Sequence, residues 1–324
     1  MFGKMFSVVS VLVFLVSFIP AGVLGIDFPK REIEFIAAYA PGSNTDNFAR
    51  LAAKFGEKYV GKPIVVVNKP GGGGSKGFAV LASAKPDGYT VGLVSNAMIS
   101  HPYLFKGISY NYKKSFRVIS QIDYSAQGLY AKKGSAFDIS LKELVKKAKE
   151  TPETIKVAIG GIWTTEDFTR ALFEDEAGVK FRRISYPTAG DMIPALLGGH
   201  VDYIVGPPSV WAHLYKAGEV SVLAMSTEQR DPQFPNIPTF KELGYDVVLY
   251  TYHWVAAPAG TPDSIVNFLA EAFKRGFSEQ TFKEAAANLG AVGAWENPEG
   301  SMKSMERVDQ LYQRVVKRLD LKPE

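Results

Sequence analysis

The feature that most constrains this chain is a regular alternation of short apolar runs with amphipathic ones. Residues 32–38, 63–67 and 89–95 are short and apolar, which is typical of buried strands. Between them, residues 44–59 and 77–84 place apolar side chains at three-to-four-residue spacing, which indicates helices. Because parallel strands need long crossover connections, this order predicts an α/β unit in which helices flank a parallel sheet.

A second unit with the same alternation follows, and the chain then returns. Its strand-like runs are residues 129–132, 156–159, 181–186, 203–205 and 220–225, and its helix-like runs are residues 140–149, 165–177, 191–197 and 210–216. Glu143 stands three residues after Ser140, a spacing typical of a capping box at a helix start. A strand-like, aromatic stretch at 246–257 leads into helix-like runs at 263–277, 280–288 and 298–317.

This organisation predicts two lobes, because about 300 residues are too many for one ordinary core. We expect residues 26–125 and 256–324 to form lobe 1, and residues 126–255 to form lobe 2. The chain would cross between the lobes near 124–130 and 249–257, and these crossings would act as hinges. Ligands of open α/β sheets bind beyond the carboxyl ends of the strands, so the loops that follow the strands are expected to carry the function.

Residues 1–25 have the three parts of a secretory signal peptide. Lys4 precedes an apolar run at 5–19, and small residues end at Gly25. Pro20 and several serines suit cleavage better than membrane spanning, so an uncleaved anchor is the weaker alternative. The chain has no cysteine, which excludes a lipid-modified cysteine anchor and thiolate chemistry. We therefore expect cleavage near Ile26 and export to a periplasm.

Charge and motif content exclude several classes of function. The formal net charge is +4, with cations spread among acids, whereas nucleic-acid binding needs a concentrated basic patch. The four histidines form no HExxH zinc motif, and no GxSxG serine-hydrolase motif occurs. His253, between Tyr252 and Trp254, is the one histidine near a predicted crossing, and we expect a structural role for it. The sequence therefore predicts no catalytic residue, no metal site, no cofactor and no nucleic-acid partner.

Small polar residues and glycine recur where predicted strands give way to helices. The segments are residues 40–46, 95–97, 160–165, 186–191 and 206–209. Backbone N–H groups at helix starts, together with hydroxyl groups, match the hydrogen-bonding capacity of a carboxylate. A plain helix cap by Asn44 or Asp46 is the alternative interpretation of the first segment, and the two interpretations are compatible.

The glycine-rich loop at 71–77 imitates nucleotide-binding motifs without satisfying them. Lys76 precedes Gly77, whereas a phosphate-binding loop needs lysine after glycine. The glycines also do not directly follow the first strand, as a dinucleotide fold requires. We therefore expect a flexible loop that lines a cleft.

Six segments together resemble the tripartite tricarboxylate transporter receptors, also called the Bug or TctC family. They are APGSNTDNFAR at 40–50, VVNKPGGG at 66–73, AKPDGYT at 84–90, LLGGHVD at 196–202, PNIPTF at 235–240 and APAGTP at 257–262. The matching segments occur in the family's order and cover the chain beyond the expected signal peptide.

The resemblance implies a type II periplasmic-binding-protein fold, a Venus flytrap whose two lobes each contain a mostly parallel sheet flanked by helices. It also implies a small carboxylic acid ligand, a membrane permease with one large and one small subunit, and a monomeric receptor. The predicted ligand-binding residues are Tyr39, Gly42, Ser43, Asn44, Asp46, Gly73, Ser95, Asn96, Gly161, Trp163, Thr164, Thr165, Thr188, Ala189, Gly190 and Pro207.

Departures from the family pattern bear on the ligand. Ser43 stands where the family usually has a glycine, and Asp167 stands near the place of a usual histidine. Trp163 occupies a shorter loop, and the usual Tyr-Lys-Gly reads Tyr186-Pro187-Thr188. The ligand is therefore expected to be an aliphatic di- or tricarboxylate or an aromatic acid. Two other functions stay open: a receptor that feeds a sensor kinase, and, less favoured, an exported hydrolase.

Overall fold

The structure is a computed structural model that describes residues 27–186 and 189–323, and its strands form two sheets flanked by helices. The strands are β1 (Ile33–Ala37), β2 (Ile64–Asn68), β3 (Thr90–Ser95), β4 (Phe116–Ala126), β5 (Gly128–Lys132), β6 (Lys156–Ile159), β7 (Arg182–Ser185), β8 (Tyr203–Gly206), β9 (Val220–Met225), β10 (Tyr250–Pro258) and β11 (Val292–Glu296). The helices are α1 (Asn44–Val60), α2 (Ser75–Ala82), α3 (Ala97–Leu104), α4 (Leu141–Glu150), α5 (Thr165–Ala177), α6 (Ala189–Leu197), α7 (Pro208–Lys216), α8 (Asp263–Phe277), α9 (Gln280–Asn288) and α10 (Pro298–Arg318).

The six-stranded sheet has the order β11-β4-β10-β3-β1-β2. β1 is parallel to β2 and β3, whereas β10 is antiparallel to β3 and β4, and β11 is antiparallel to β4. The sheet is therefore mixed, not mostly parallel as predicted. The reason is the chain path, since β4 leads toward the second lobe and β10 returns beside it in the opposite direction.

The five-stranded sheet has the order β7-β6-β8-β5-β9. β6 is parallel to β7 and β8, but β5 is antiparallel to β8 and β9, so this sheet is mixed too. The chain enters this sheet at Gly128 and rejoins the first at Tyr250. The predicted two-lobed α/β architecture is confirmed, and the residue limits given for each lobe remain a prediction.

Three elements were not anticipated from the sequence: α3, β11 and the greater part of β4. Most residues of α3 are buried, including Met98, Ile99 and His101, so the helix has no polar face and no amphipathic period. β11 is a short, partly exposed edge strand without a clear apolar alternation.

Local sequence explains how the lobes are built. Phe35, Phe48 and Phe273 are fully buried in the cluster that joins the first sheet to α1 and α8. The predicted capping box of α4 is confirmed, because Ser140 Oγ accepts from Glu143 N at 3.3 Å and Ser140 N donates to Glu143 Oε2 at 2.9 Å. The buried phenylalanines fix α1 and α8 against the first sheet, and the capping box fixes the start of α4.

Within residues 27–186 and 189–323, no helix is long and apolar enough to cross a bilayer. The predicted signal peptide, residues 1–25, lies outside the described residues.

Candidate functional site

A cavity lies between the two lobes, and both lobes contribute to its wall. This inner cavity has a volume of about 60 Å³. It is lined by Tyr39, Ser43, Asn44, Thr45, Ser95, Ala97, Gly160, Thr164, Thr165, Glu166, Met192, Pro207, Val210, Thr251 and His253. Most of these residues follow the carboxyl ends of β1, β3, β6 and β8, the place where open α/β sheets bind ligands.

A wider outer cavity of about 560 Å³ adjoins the inner one. Its wall includes the glycine-rich loop at 70–74 from one lobe and residues 160–162 from the other. Tyr39 lines both cavities, and its hydroxyl donates to the carbonyl oxygen of Gly73 at 2.7 Å. The glycine-rich loop therefore forms part of the cleft wall and is tied to a residue that lines both cavities.

The loop before α1 is held by an aspartate inside the helix. Gly42 has a φ of +80°, a conformation that glycine adopts without strain. Its N–H donates to Asp46 Oδ2 at 2.9 Å, and Ser43 Oγ accepts from Asp46 N at 3.2 Å. Asp46 also accepts from Arg50 Nε at 3.0 Å and from Asn68 Nδ2 at 2.7 Å. Asp46 thus shapes the loop and does not line either cavity.

The loop before α5 is built in the same way but with a tryptophan in place of the glycine. Trp163 has a φ of +55°, and its N–H donates to Asp167 Oδ2 at 3.0 Å. Asp167 is fully buried and pairs with Arg170 at 2.7 Å and with Arg183 at 2.9 Å. The Trp163 ring lies 5.5 Å from the Phe168 ring, so it packs within the protein and not on the cavity wall.

The floor of the inner cavity comes from β3 and the returning strand β10. Ser95 pairs in register with His253, and both line the cavity. His253 is fully buried and stacks on Phe48, and its Nδ1 lies 2.8 Å from Asp123 Oδ1. Its Nε2 has no hydrogen-bond partner among the described residues. Burial raises the pKa of Asp123 above its usual range, although His253 opposes that rise.

Asn96 fixes the crossing strand and does not face the cavity. Its Nδ2 donates to the carbonyl oxygen of Tyr250 at 2.9 Å, and its Oδ1 accepts from Tyr252 N at 2.8 Å. The side chain is fully buried, and these two bonds to β10 satisfy its polar atoms. The residue after β3 therefore holds β10 in place beside it.

Direct contacts join the two lobes across the cleft. Ser209 Oγ donates to Asn44 Oδ1 at 2.7 Å, which connects the start of α7 to the start of α1. Ser100 Oγ donates to the carbonyl oxygen of Trp163 at 3.1 Å, and the Phe168 ring stacks on Tyr312 at 4.4 Å. The structure is therefore a closed arrangement in which lobe-to-lobe bonds surround the inner cavity.

The electrostatics of the inner cavity combine three helix starts with one acid. α1, α5 and α7 all begin at its wall, and helix N-termini carry partial positive charge. Burial raises the pKa of Tyr39 well above its usual range, so its hydroxyl stays protonated at neutral pH. Burial also raises the pKa of Glu166, although hydrogen bonds from Thr164 and from its own backbone oppose the rise.

The structure brings part of the predicted site together. The predicted residues on the inner cavity wall are Tyr39, Ser43, Asn44, Ser95, Thr164, Thr165 and Pro207, and those on the outer cavity wall are Tyr39, Gly73 and Gly161. Gly42, Asp46, Asn96 and Trp163 line neither cavity. Thr188 lies outside the described residues, and Ala189 and Gly190 are the first residues of α6. Ligand contact by any of these residues remains a prediction.

Several lining residues are absent from the predicted ligand-binding set, although Thr45, Ala97 and Gly160 lie in segments that were predicted to carry the function. The absent residues are Thr45, Ala97, Gly160, Glu166, Met192, Val210, Thr251 and His253. Thr251 and His253 lie two residues apart on β10 and so share one face of the strand. This spacing was not recognised in the sequence because the residues around them are aromatic and apolar. Glu166 directly follows two predicted residues, yet an acid did not fit a site expected to bind an anion. Among the described residues, no cluster of histidines or acids is suited to a metal ion.

Known proteins are similar to this chain in both sequence and architecture. The profile of the tripartite tricarboxylate transporter family receptors matches residues 48–321. A UPF0065 protein in the gbd 5' region of Cupriavidus necator is 32% identical over 270 residues, which is 83% of this chain and 82% of that protein.

Solved structures of similar proteins agree with the match to the receptor family. The periplasmic binding protein BugD superposes with a TM-score of 0.86 at 27% identity, over 92% of this chain and all of that one. MatC from Rhodopseudomonas palustris with bound malate gives a TM-score of 0.77 at 25% identity, over 90% of this chain and 98% of that one. The resemblance predicted from the sequence motifs is confirmed: the chain belongs to the tripartite tricarboxylate transporter receptor family.

Proposed function

We propose that this protein is a periplasmic solute-binding receptor that captures a small carboxylate-bearing solute in the inner cavity. It then delivers the solute to a membrane permease with one large and one small subunit. The observation that carries this proposal is the meeting of three helix N-termini, those of α1, α5 and α7, from both lobes at one enclosed space.

The donors around the inner cavity suit a carboxylate. Helix N-termini attract anions, and hydroxyl groups of Ser43, Thr45 and Ser95 can donate to carboxylate oxygens without a buried arginine. The similar receptor MatC carries malate, a small dicarboxylate, in its solved structure. Together these features favour a small organic acid over a sugar or a nucleotide.

The geometry supports capture by closure. Each lobe supplies part of the wall, and the Asn44–Ser209 and Ser100–Trp163 bonds form only when the lobes meet. A solute that contacts both lobes stabilises the closed form, which is the form that a permease can distinguish from the open one. The crossing strands β4 and β10 are the hinge elements of this motion.

The same geometry supports a binding role in preference to catalysis. His253 and Asp123 form a buried pair of the kind that activates a hydroxyl nucleophile. Within the described part of the chain, however, no hydroxyl bonds to His253 Nε2. The nucleophile–base contact that an exported hydrolase needs is therefore not assembled around this histidine.

Thermal unfolding of the mature protein against a panel of carboxylates tests the proposal. A solute at about 100 times its dissociation constant adds about 2.7 kcal/mol to the free energy of unfolding and raises the midpoint visibly. We expect carboxylates to raise the midpoint and sugars or nucleosides to leave it unchanged. A panel in which only uncharged solutes shift the midpoint would overturn the carboxylate proposal.

A further inference from the structure

His253 on β10 is a fully buried histidine that lines the inner cavity with one ring nitrogen unbonded. Its Nδ1 lies 2.8 Å from Asp123 Oδ1 and 3.2 Å from Oδ2, so a neutral His253 keeps its proton on Nδ1 and donates it to that carboxylate. Nε2 then presents a lone pair and has no partner among the described residues. Stacking on Phe48 and the register with Ser95 fix the ring, which leaves Nε2 as the nitrogen that a solute in the cavity can engage.

A second buried histidine, His101 on α3, shows the outcome of burial without an acid partner. It is also fully buried, and its Nε2 also has no partner in the described chain. Its Nδ1 lies 3.2 Å from the hydroxyl of Tyr110, and burial lowers the pKa of His101 to about 3, so it stays uncharged. His101 lines neither cavity. His253 differs in both respects, because it has a carboxylate beside it and borders the space proposed to hold the solute.

The charges around the inner cavity do not offset an anion. The described residues that line it include no lysine or arginine. Two acids and a phenol face His253: Asp123 from β4, Glu166 from α5 and Tyr39 after β1. Burial raises the pKa of each, which keeps Tyr39 uncharged. The neighbours of His253 on α1, β3 and β10 carry no charge: Phe48, Ser95 and Thr251. A solute carboxylate therefore brings negative charge to a buried site where only the partial charges of helix starts oppose it.

We propose that His253 takes up a proton when the solute carboxylate binds, so that the receptor binds its solute together with one proton. This inference rests on the proposed function and assigns the cation of its site. The proton comes from the solvent and bonds to Nε2, and no bond of the solute changes. The imidazolium then donates from Nδ1 to Asp123 and from Nε2 to the solute, two charge-assisted bonds. A neutral His253 with its proton on Nδ1 cannot make the second bond, because both atoms would present lone pairs.

Glu166 is the other group on the cavity wall that could take up the proton. Burial favours its uncharged form, and a protonated carboxyl could donate to the solute. Its ionised form, however, already accepts hydrogen bonds from Thr164 and from its own backbone. Protonation of Glu166 would also leave the bound anion without a cation, whereas protonation of His253 supplies one that Asp123 stabilises. The two alternatives predict that different variants lose the proton uptake.

Titration calorimetry in buffers of different ionisation enthalpy measures the uptake directly. The probe is whichever of succinate, malate, adipate and benzoate gives the largest thermal shift. These acids are fully ionised at pH 8, so a proton taken up on binding goes to the protein. We expect the observed enthalpy to vary with the buffer enthalpy with a slope of about one proton per solute. By linkage, the affinity should weaken from pH 7 to pH 8.5 and approach about a tenfold loss per pH unit where the uptake is complete.

Three variants assign the proton to a residue. His253→Gln keeps a side chain that can donate a hydrogen bond but cannot gain a proton, so it should abolish both the uptake and the pH dependence. Glu166→Gln should retain the uptake. His213→Gln is the matched control, because it changes an exposed histidine outside the cavity and should leave uptake and affinity unchanged.

Two results would overturn the inference while leaving the carboxylate receptor intact. One is a carboxylate that binds the unmodified protein without proton uptake. The other is an uptake that Glu166→Gln abolishes, since the proton would then belong to Glu166. Both tests use proteins that retain His253, so they remain decisive even if His253→Gln does not fold. If none of the four carboxylates binds at any pH, the proposed function fails and the inference fails with it.

Discussion

The loops before α1 and α5 are two versions of one construction, and two of the positions at which they differ change the chemistry of the loop. In each, an N-cap hydroxyl residue precedes the helix, and an aspartate three residues later accepts the N–H of the residue four positions before it. The aspartate is in turn held by an arginine of the same helix. Lobe 1 has Gly42 before the cap and Thr45 before the aspartate, whereas lobe 2 has Trp163 and Glu166 at those places.

The comparison distinguishes residues that hold each loop in shape from residues that line the inner cavity. The two aspartates are structural in both lobes, and neither lines a cavity. The residue just before each aspartate does line the inner cavity, and it changes from a neutral hydroxyl to a carboxylate between the lobes. The shared hydrogen bonds therefore fix each helix start, and the residue before the aspartate gives lobe 1 a hydroxyl and lobe 2 a carboxylate at the cavity wall.

The largest effect is expected from removing the aspartate of lobe 2. Asp167→Ala leaves Arg170, which is 7% exposed, and the half-buried Arg183 without this partner. Breaking a buried ion pair on one side costs about 3–5 kcal/mol, so urea unfolding should show a loss of that size. Asp46→Ala in lobe 1 should cost less, because its partner Arg50 is largely exposed. Equal losses of unfolding free energy in the two variants would contradict the stated difference between the two loops.

Acid titration should separate the aspartate of lobe 1 from an ordinary surface acid. Burial alone would raise the pKa of Asp46, but hydrogen bonds from Arg50, Asn68 and Gly42 outweigh it and hold the pKa below its usual range. A lowered folded-state pKa stabilises the fold above the unfolded value, about 3.9, and this contribution is lost as the pH falls through the folded value. The free energy of unfolding of Asp46→Asn should therefore be about 2 kcal/mol lower than that of the unmodified protein at pH 7. The two values should lie closer together at pH 3.

The exposed Asp263, at the first residue of α8, provides the control for this titration. Asp263→Asn should change the free energy of unfolding by less than about 1 kcal/mol at pH 7. A difference for Asp46→Asn that stays constant from pH 7 to pH 3 would show that its hydrogen bonds do not depend on the charge.

The positive φ of Trp163 predicts an unusual order of glycine and alanine. Both Trp163→Ala and Trp163→Gly lose the packing of the ring against Phe168. A glycine variant is normally less stable than the alanine variant at the same position. Because the backbone at residue 163 is left-handed, Trp163→Gly should instead be more stable than Trp163→Ala by about 1 kcal/mol. Gly42→Ala provides the mirror test in lobe 1, because no atom lies within 4 Å of the added carbon and only the backbone cost of about 1 kcal/mol remains. Thermal or urea unfolding of the three variants measures both differences.

The smallest effect concerns the bond that joins the two helix starts when the lobes meet. Ser209→Ala removes the donor to Asn44, and one hydrogen bond of about 1 kcal/mol corresponds to about a fivefold weaker solute affinity. Titration calorimetry with the solute that gives the largest thermal shift measures this change. Ser83→Ala is the control, since that hydroxyl bonds only within α2. Unchanged affinity in Ser209→Ala would mean that this bond is not part of the solute-bound form.

The sequence predicted the regular elements well where periodicity was strong. Helices α1, α4 and α5 begin within one residue of their predicted starts, because a cap residue and an amphipathic run mark each one. The all-buried α3 carries no such period, so it was missed. The antiparallel direction of the crossing strands could not be predicted from the sequence, because it depends on the long-range pairing of β4 with β10.

The site was predicted in outline but not in its division of roles. Small polar residues at strand ends can line a cavity or form bonds within the protein. Nothing in the sequence pattern distinguishes Ser95, which lines the cavity, from Asn96, which holds β10. His253 reaches the cavity from a strand that pairs with β3 only in the folded protein. Residues supplied by a distant strand therefore need the tertiary structure to be recognised.

A crystal structure of the mature protein with the carboxylate that gives the largest thermal shift tests the central claim most directly. We predict that the solute lies in the inner cavity, with carboxylate oxygens within hydrogen-bonding distance of the α1 start and of Ser95, and with both lobes in contact with it. A solute bound in the outer cavity alone, or to one lobe only, would contradict the account of a receptor that closes around a carboxylate.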